Sequence, residues 1–172
     1  QLIVPPVVKP LPPASAELRE ASEARRKQTA AQMRSMADEI RRVMGSLAQN
    51  GQVTVSEGAF GISIEINAAL LFAPGEAALG ASASEALRAV AQVMAASVFP
   101  ITIEGHTDNT PINTYRFPSN WELSAVRAST VARLFIDSGV RPDRLTAAGY
   151  ADQRPVADNA AEAGRGRNRR VT

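Results

Sequence analysis

The sequence predicts an α/β domain, a two-layer βαβαβ sandwich, preceded by a long N-terminal helix. One observation is a continuous helical stretch that ends at Gly51. Another is the series of short strands and capped helices that follows, in the order ββαβαβ with a short αβ unit at the end. Strand–helix–strand units favour parallel strands covered by their helices. The 172 residues are enough for one such domain and an appendage.

The region before the domain divides into two parts. Residues 1–14 contain five prolines, which oppose helix and sheet pairing, so we expect a linker there. Residues 15–51 predict a linker or dimerisation helix, whose second half alone carries an apolar stripe. The stripe consists of Met33, Met36, Ile40, Val43, Met44 and Leu47. It is expected to dock either on the following domain or on the same helix of a second copy.

Residues 52–172 are expected to form the folded domain. Alternating apolar residues predict strands over residues 53–57 and 61–67, around a turn at Gly58. Two capping boxes, Ser82-x-x-Glu85 and Ser119-x-x-Glu122, predict helices over about residues 82–97 and from residue 119 to before Gly139. The remaining predictions are a strand at Ile101 and Ile103, a strand over residues 144–149, a short helix over 159–169 and a strand from Arg170 to Thr172.

Composition excludes several classes of function. The absence of cysteine excludes disulfides and thiolate chemistry, and one histidine among scattered acids gives no metal-ligand spacing, so we expect no metal and no cofactor. The formal charge of +2 and a basic tail without aromatic residues argue against a nucleic-acid partner. The tail arginines are expected to pair with acids such as Asp143, Asp152 or Asp158. The longest uncharged run, residues 89–103, is shorter than the ~20 residues of a transmembrane helix.

The segment from Gly105 to Arg127 carries the candidate site. Asp108 follows a strand, and Asn120, Leu123 and Arg127 share one face of the next helix. Arg127 could hold a carboxylate through two parallel hydrogen bonds, and Asp108 could accept hydrogen bonds from an ammonium group. This pattern indicates recognition of a small zwitterion rather than catalysis. A structural salt bridge between Asp108 and Arg127 is the alternative.

Three other residues of this segment are given structural roles. His106 is expected to form hydrogen bonds in the turn after the strand. Phe117 and Trp121 flank the second capping box and favour a hydrophobic staple. None of these residues completes a catalytic set, because no G-x-S-x-G elbow or Ser/His/Asp arrangement can be assembled.

Four segments of residues 53–172 resemble the OmpA-like peptidoglycan-binding domain. They are IEGHTDNTPI, NWELSAVRA, RLTAAGYADQRPVADN and GRGRNRRV, in that order. Within this family, the segments TPIN, FPSNWELS and GYADQRPVADN are similar to flagellar motor stator B subunits, the MotB and MotD group. Ala151 departs from the pattern, since these stator proteins usually have glycine there.

The resemblance implies a ligand and a set of site residues. The ligand of this family is the diaminopimelate of the peptidoglycan stem peptide, which carries an ammonium and a carboxylate at its free end. By resemblance, Asp108 would hold the ammonium and Arg127 the carboxylate. The residues implied to line the site are Thr107, Asn120 and Leu123, and those implied to support it are Arg165, Asn168 and Arg169.

The resemblance also implies a non-catalytic role in the cell envelope. The chain would be the periplasmic region of a stator subunit that anchors an ion-driven channel to the cell wall. Its expected partners are peptidoglycan, a second copy in a homodimer, and a stator A subunit of MotA type. The last would be reached through an inner-membrane helix upstream of Gln1. Two alternatives stay open: an OmpA-like anchor of another lipoprotein or outer-membrane protein, and a peptidoglycan-acting enzyme that uses Asp108 as a base.

Overall fold

The structure, a computed structural model, describes residues 16–48, 51–58 and 61–172. Its helices are Ala16–Val43 (α1), Gly45–Ala48 (α2), Ala68–Leu71 (α3), Ala81–Ala95 (α4), Asn120–Asp137 (α5) and Glu162–Asn168 (α6). Its strands are Val53–Gly58 (β1), Gly61–Asn67 (β2), Ile101–His106 (β3), Leu145–Gly149 (β4) and Arg170–Val171 (β5). The predicted linker over residues 1–14 lies outside the described residues.

The strands form one mixed five-stranded sheet in the order β1-β2-β5-β3-β4. The α/β prediction is confirmed, but parallel pairing is found only between β3 and β4 among the described strands. The short β5 pairs antiparallel with both β2 and β3, and β1 pairs antiparallel with β2. Because of these strand directions, the C-terminal ends of β2, β3 and β4 and the N-terminal end of β5 lie at the same end of the sheet.

The core lies between the sheet and the helices. Apolar residues of four strands meet those of α4 and α5, namely Val53, Ile66, Ile103, Val171, Leu87, Val90, Val131 and Phe135. The apolar stripe of α1 joins the same core, where Ile40 and Met44 are fully buried. The stripe therefore docks on its own domain, which is the first of the two predicted options. Residues 17–32 of α1 are exposed.

The helix boundaries differ from the predictions at two places. The helix predicted to run to about residue 50 is interrupted by a turn at Met44, so α1 ends at Val43 and the short α2 follows over Gly45–Ala48. The helix α4 begins at Ala81 with Gly80 as its N-cap and no side-chain cap. The predicted Ser82 capping box is therefore wrong, because Ser82 already lies in the first helical turn.

The second predicted cap is present at the start of α5. The Ser119 hydroxyl accepts a hydrogen bond from the Trp121 N–H at 3.1 Å and donates to the Glu122 carboxylate at 2.5 Å. Such a cap satisfies one of the free N–H groups of the first turn. It fixes the start of the helix that carries Asn120, Leu123 and Arg127.

Candidate functional site

Two glycines allow α5 to lie directly on β3 and β4. A Cβ atom at Gly105 would lie 2.1 Å from the Ser124 carbonyl oxygen, and one at Gly149 would lie 2.5 Å from the Ala125 nitrogen. The fully buried Ser124 hydroxyl also accepts a hydrogen bond from the Ala151 N–H at 3.0 Å. The close approach brings the end of β3, which leads into Asp108, next to the first turns of α5.

Asp108 is a buried carboxylate with a defined set of donors. It is 6% exposed, and its Oδ1 accepts a hydrogen bond from the Thr110 N–H at 2.8 Å. Its Oδ2 accepts one from Arg169 Nη1 at 2.5 Å. Burial acts to raise the pKa of the Asp108 carboxyl, but the hydrogen bonds from Arg169 and Thr110 outweigh burial and hold the pKa below its usual value. Asp108 is therefore ionised at neutral pH.

Asn120 ties the Asp108 loop to the start of α5. Its side-chain amide donates to the Thr110 carbonyl at 2.9 Å and, less closely, to the Asp108 carbonyl at 3.4 Å. The buried Thr107 hydroxyl donates to the same Asp108 carbonyl at 2.8 Å. These hydrogen bonds hold the Asp108 loop against the first turn of α5.

Arg127 is a buried guanidinium held by neutral groups. It is 5% exposed, and its Nε donates to the Glu76 carbonyl at 2.8 Å, with a weaker contact from Nη2 to the Ala73 carbonyl at 3.5 Å. Its guanidinium lies over the Phe72 ring, 4.9 Å from the centroid. Burial and then the nearby Arg169 charge lower the pKa of Arg127, and Asp108 acts in the opposite direction. Asp108 and Arg169 are thus the charged neighbours that shift the pKa of Arg127.

Asp108 forms its ion pair with Arg169 and not with Arg127, the partner in the predicted alternative. Asp108 pairs with Arg169, and Arg127 forms no salt bridge within the described ranges of the chain. The interpretation of Asp108 and Arg127 as a structural salt bridge is therefore wrong. Arg169 also contacts Glu162, whose Oε1 lies 2.5 Å from Arg169 Nη2.

Leu123 belongs to a small apolar cluster beside Arg127. It packs with Ala77 and Phe117, all three being buried, and Ile112 covers them. Trp121 is 51% exposed and is not part of this cluster, so of the two aromatic residues predicted as a staple only Phe117 packs. The cluster supports the loop that follows Phe72, which holds Arg127.

The other two residues expected to support the site hold the loop before α6. Asn168 is fully buried, accepts hydrogen bonds from the N–H groups of Val156 and Ala157, and donates to the Ala157 carbonyl. Arg165 pairs with Glu162 and donates to the Asn159 carbonyl at 2.9 Å. Within the described residues, the acids predicted as partners of the tail arginines form no ion pair with them. Arg165 and Arg169 pair with Glu162, and Arg169 also pairs with Asp108.

His106 is not a turn residue but the last residue of β3. It is 2% exposed and stacks on Tyr150 with 5.5 Å between ring centroids. Its Nε2 lies 3.4 Å from Glu104 Oε2, but neither ring nitrogen has a hydrogen-bond partner of good geometry. Burial, followed by the Arg170 charge, lowers the pKa of His106 to about 4. The expected hydrogen bonding of His106 is therefore wrong, and its imidazole is neutral at pH 7.

The site thus combines an ionised carboxylate with a buried guanidinium whose hydrogen bonds, within the described part of the chain, go to neutral carbonyls. A group with both an ammonium and a carboxylate would match these two charges. Residues 71–169 match the family model described as the OmpA family. The chain belongs to the OmpA family. Its domain is an OmpA-like peptidoglycan-binding domain, which is non-catalytic and indicates a location in the cell envelope.

Several proteins are similar to this OmpA-family chain. The uncharacterized protein YtxE of Bacillus subtilis is 41% identical over 121 residues, which cover 70% of this chain and 50% of that protein. A putative MotB-like protein from Desulfovibrio vulgaris has a structure with a TM-score of 0.74 and 32% identity, covering 85% of this chain and 94% of that one. The cell wall anchor of the T6SS from Pseudomonas aeruginosa has a TM-score of 0.70 and 34% identity, covering 77% and 92%.

The chain spans half the length of YtxE. None of the helices in the described ranges is long and apolar enough to cross a membrane. The predicted OmpA-like fold is confirmed, including the long helix that precedes the domain.

The sequence did not indicate the groups that hold the two arginines of the site. The carbonyls of Ala73 and Glu76 hold Arg127, and Glu162 holds Arg169. Backbone carbonyls leave no signal in side-chain identity. Glu162 could have been found, because it lies three residues before Arg165 on one helix face.

Proposed function

We propose that this domain binds the diaminopimelate of the peptidoglycan stem peptide. In this proposal Asp108 accepts hydrogen bonds from its ammonium group and Arg127 donates to its carboxylate. The observation that carries the proposal is the state of Arg127, which is 5% exposed yet bonded to neutral carbonyls. A buried charge without a counter-ion is costly, and a ligand carboxylate would compensate it.

The surrounding residues have separate roles in this proposal. Thr107 and Asn120 both donate to the Asp108 carbonyl, which orients the loop, and Leu123 supplies an apolar wall beside Arg127. Arg165 and Asn168 support the loop before α6, and Arg169 contacts Asp108 directly. In this proposal the ligand is bound and no reaction is catalysed.

For the whole protein, we propose the periplasmic part of a flagellar stator subunit. The domain would anchor an ion-driven channel to the cell wall, as a homodimer that assembles with a MotA-type subunit through an inner-membrane helix. Support comes from the MotB-like structure, which matches over 94% of its length, and from the long helix α1 that precedes the domain. The stator segments TPIN and FPSNWELS lie in the Asp108 loop and at the start of α5.

A second candidate is a wall anchor of another envelope assembly. It is favoured by the similarity to the cell wall anchor of the T6SS, to which this chain is 34% identical. The two candidates share the ligand and differ in the machine that is anchored. Swimming of a strain that lacks the gene separates them, because loss of motility supports the stator and normal swimming excludes it.

Binding is tested by co-sedimentation with purified insoluble peptidoglycan. Asp108→Asn and Arg127→Gln should each lose about 2–5 kcal/mol of binding, since each leaves a partly desolvated charge unpaired. Arg141→Gln and Asp143→Asn are matched controls, because they make the same charge changes in an exposed pair before β4, at the opposite end of the sheet. Controls should sediment like the wild type. If the folded Asp108→Asn and Arg127→Gln variants bind peptidoglycan as well as the wild type does, the proposed site is contradicted.

A further inference from the structure

The Asp108 carboxylate is already occupied by a cation of the same chain. Arg169 Nη1 donates to Oδ2, and the Thr110 N–H donates to Oδ1. The side chain of Asp108 is only 8% exposed. A ligand ammonium would therefore approach a carboxylate whose two oxygens both have donors, and it would meet the positive charge of Arg169 at short range.

Two cations at one buried carboxylate repel each other more strongly than they would in water. The charges of the site make the conflict explicit. Arg127, Arg169 and Asp108 together carry a net charge of one positive unit, whereas a ligand with one ammonium and one carboxylate is neutral. The carboxylate of such a ligand can pair with Arg127, whose hydrogen bonds go to neutral carbonyls. Its ammonium has no free carboxylate to pair with, because Arg169 already neutralises Asp108.

Glu162 provides a second position for the Arg169 guanidinium. Its Oε1 lies 2.5 Å from Nη2, so Arg169 bridges the two carboxylates with its two terminal nitrogens. Glu162 lies on the exposed side of this bridge, with a side chain that is 66% exposed. Glu162 therefore accommodates the Arg169 charge without a desolvation cost, in contrast to Asp108.

The backbone of Arg169 is fixed, so only its side chain needs to move. The Arg169 N–H donates to the Arg165 carbonyl at 3.0 Å, and its own carbonyl accepts from the Ala68 N–H at 2.9 Å. The side chain is 34% exposed and has its hydrogen bonds at the guanidinium end. Rotation toward Glu162 would break one ion pair and keep the other.

We propose that Arg169 takes the place of the ligand ammonium in the free domain, and that Glu162 holds Arg169 when the ligand binds. Glu162 then sets the affinity of the site for an ammonium group. This inference rests on the proposed function, because it assigns a competitor to the ammonium position of the same site.

The proposal predicts opposite changes in binding for two variants. Arg169→Gln removes the competitor and should tighten binding at pH 7 by about two- to five-fold, the range of an ion pair at a partly exposed position. Glu162→Gln leaves Arg169 with Asp108 alone and should weaken binding by a similar factor. Both are measured with insoluble peptidoglycan and with free meso-diaminopimelate. The controls Arg141→Gln and Asp143→Asn should change neither.

A purely structural role of the bridge predicts something else, namely weaker binding or no change in both variants. Weaker or unchanged binding by a folded Arg169→Gln protein overturns the proposal, as does an unchanged affinity of Glu162→Gln. Thermal unfolding establishes which variants are folded. If Arg169→Gln is not folded, Glu162→Gln decides through the ligand: the proposal expects weaker binding of meso-diaminopimelate but unchanged binding of pimelate, which has no ammonium group. A purely structural role expects both ligands to be affected alike, and that result overturns the proposal. Failure of the proposed function is recognised separately, because Asp108→Asn and Arg127→Gln would then bind like the wild type.

Discussion

The buried His106 makes the stability of the domain depend on pH in a way that can be measured. Its pKa in the folded protein is about 4, against 6.5 for an ordinary histidine. Between pH 4 and pH 6.5, the His106 imidazole is therefore mostly protonated in the unfolded chain and mostly neutral in the folded one. The imidazole is neutral in both states above pH 7, so stability is lost as the pH falls from about 6.5 toward 4.

The magnitude follows from the two pKa values. At about 1.36 kcal/mol per pKa unit, His106 should lower the free energy of unfolding by about 2 kcal/mol between pH 7 and pH 5, and by about 3 kcal/mol at pH 4. The imidazole is 2% exposed, so solvent screens its charge only weakly. The lowered pKa of the Asp108 carboxyl places its own contribution below this window, since it is lost only at more acidic pH.

His106→Phe is the variant that isolates this effect. Phenylalanine keeps a ring to stack on Tyr150 and removes the titrating group together with two nitrogens that lack hydrogen-bond partners. Urea unfolding followed by circular dichroism at pH 7, 6 and 5 should show a loss of about 2 kcal/mol in the wild type that the variant does not share. Equal losses in both proteins would refute the reasoning and mean that His106 is protonated in the folded state.

Two further predictions concern packing. Gly105→Ala should destabilise the domain by about 1–3 kcal/mol or more, because its Cβ would lie 2.1 Å from a helix carbonyl, whereas Gly45→Ala, with nothing within 4 Å, should have little effect. Denaturant midpoints compare them, and similar values would mean that α5 can move away from the sheet at little cost. Ile40→Ala, at a fully buried position, should cost about 2–5 kcal/mol, and Leu18→Ala, 64% exposed, should change stability by less than about 0.5 kcal/mol. Equal stabilities in thermal unfolding would show that α1 does not belong to the core.

The elements with local signals were predictable from the sequence. The alternation in residues 61–67 and the cap at Ser119 gave the correct strand and helix, because both signals act between residues close in the chain. The predicted cap at Ser82 was wrong, because the N-cap is Gly80, two residues earlier, and Ser82 lies inside the first turn. The short β5 was predicted as an element, but its place between β2 and β3 depends on pairing with residues far away in the sequence.

The candidate site shows the same division. The sharing of a helix face by Asn120 and Arg127 follows from helix geometry, and so does their position near Asp108 once β3 and α5 are adjacent. The ion pair of Asp108 with Arg169 joins residues 61 positions apart. Its formation depends on where β5 enters the sheet. The burial of His106 depends in the same way on the stacking of Tyr150, which lies in a different segment.

A site for a zwitterion has to keep its own opposite charges from neutralising each other. A direct pair of Asp108 with Arg127 would satisfy both residues and leave nothing for a ligand to gain. The fold separates them by giving Arg127 two backbone carbonyls, which accept hydrogen bonds but carry no charge. Asp108 receives a cation instead, but one that is also bonded to the exposed Glu162. In the proposed site, Arg169 therefore neutralises Asp108 in the free domain and can remain paired with Glu162 when a ligand ammonium replaces it, while Arg127 has no carboxylate partner among the described residues until the ligand binds.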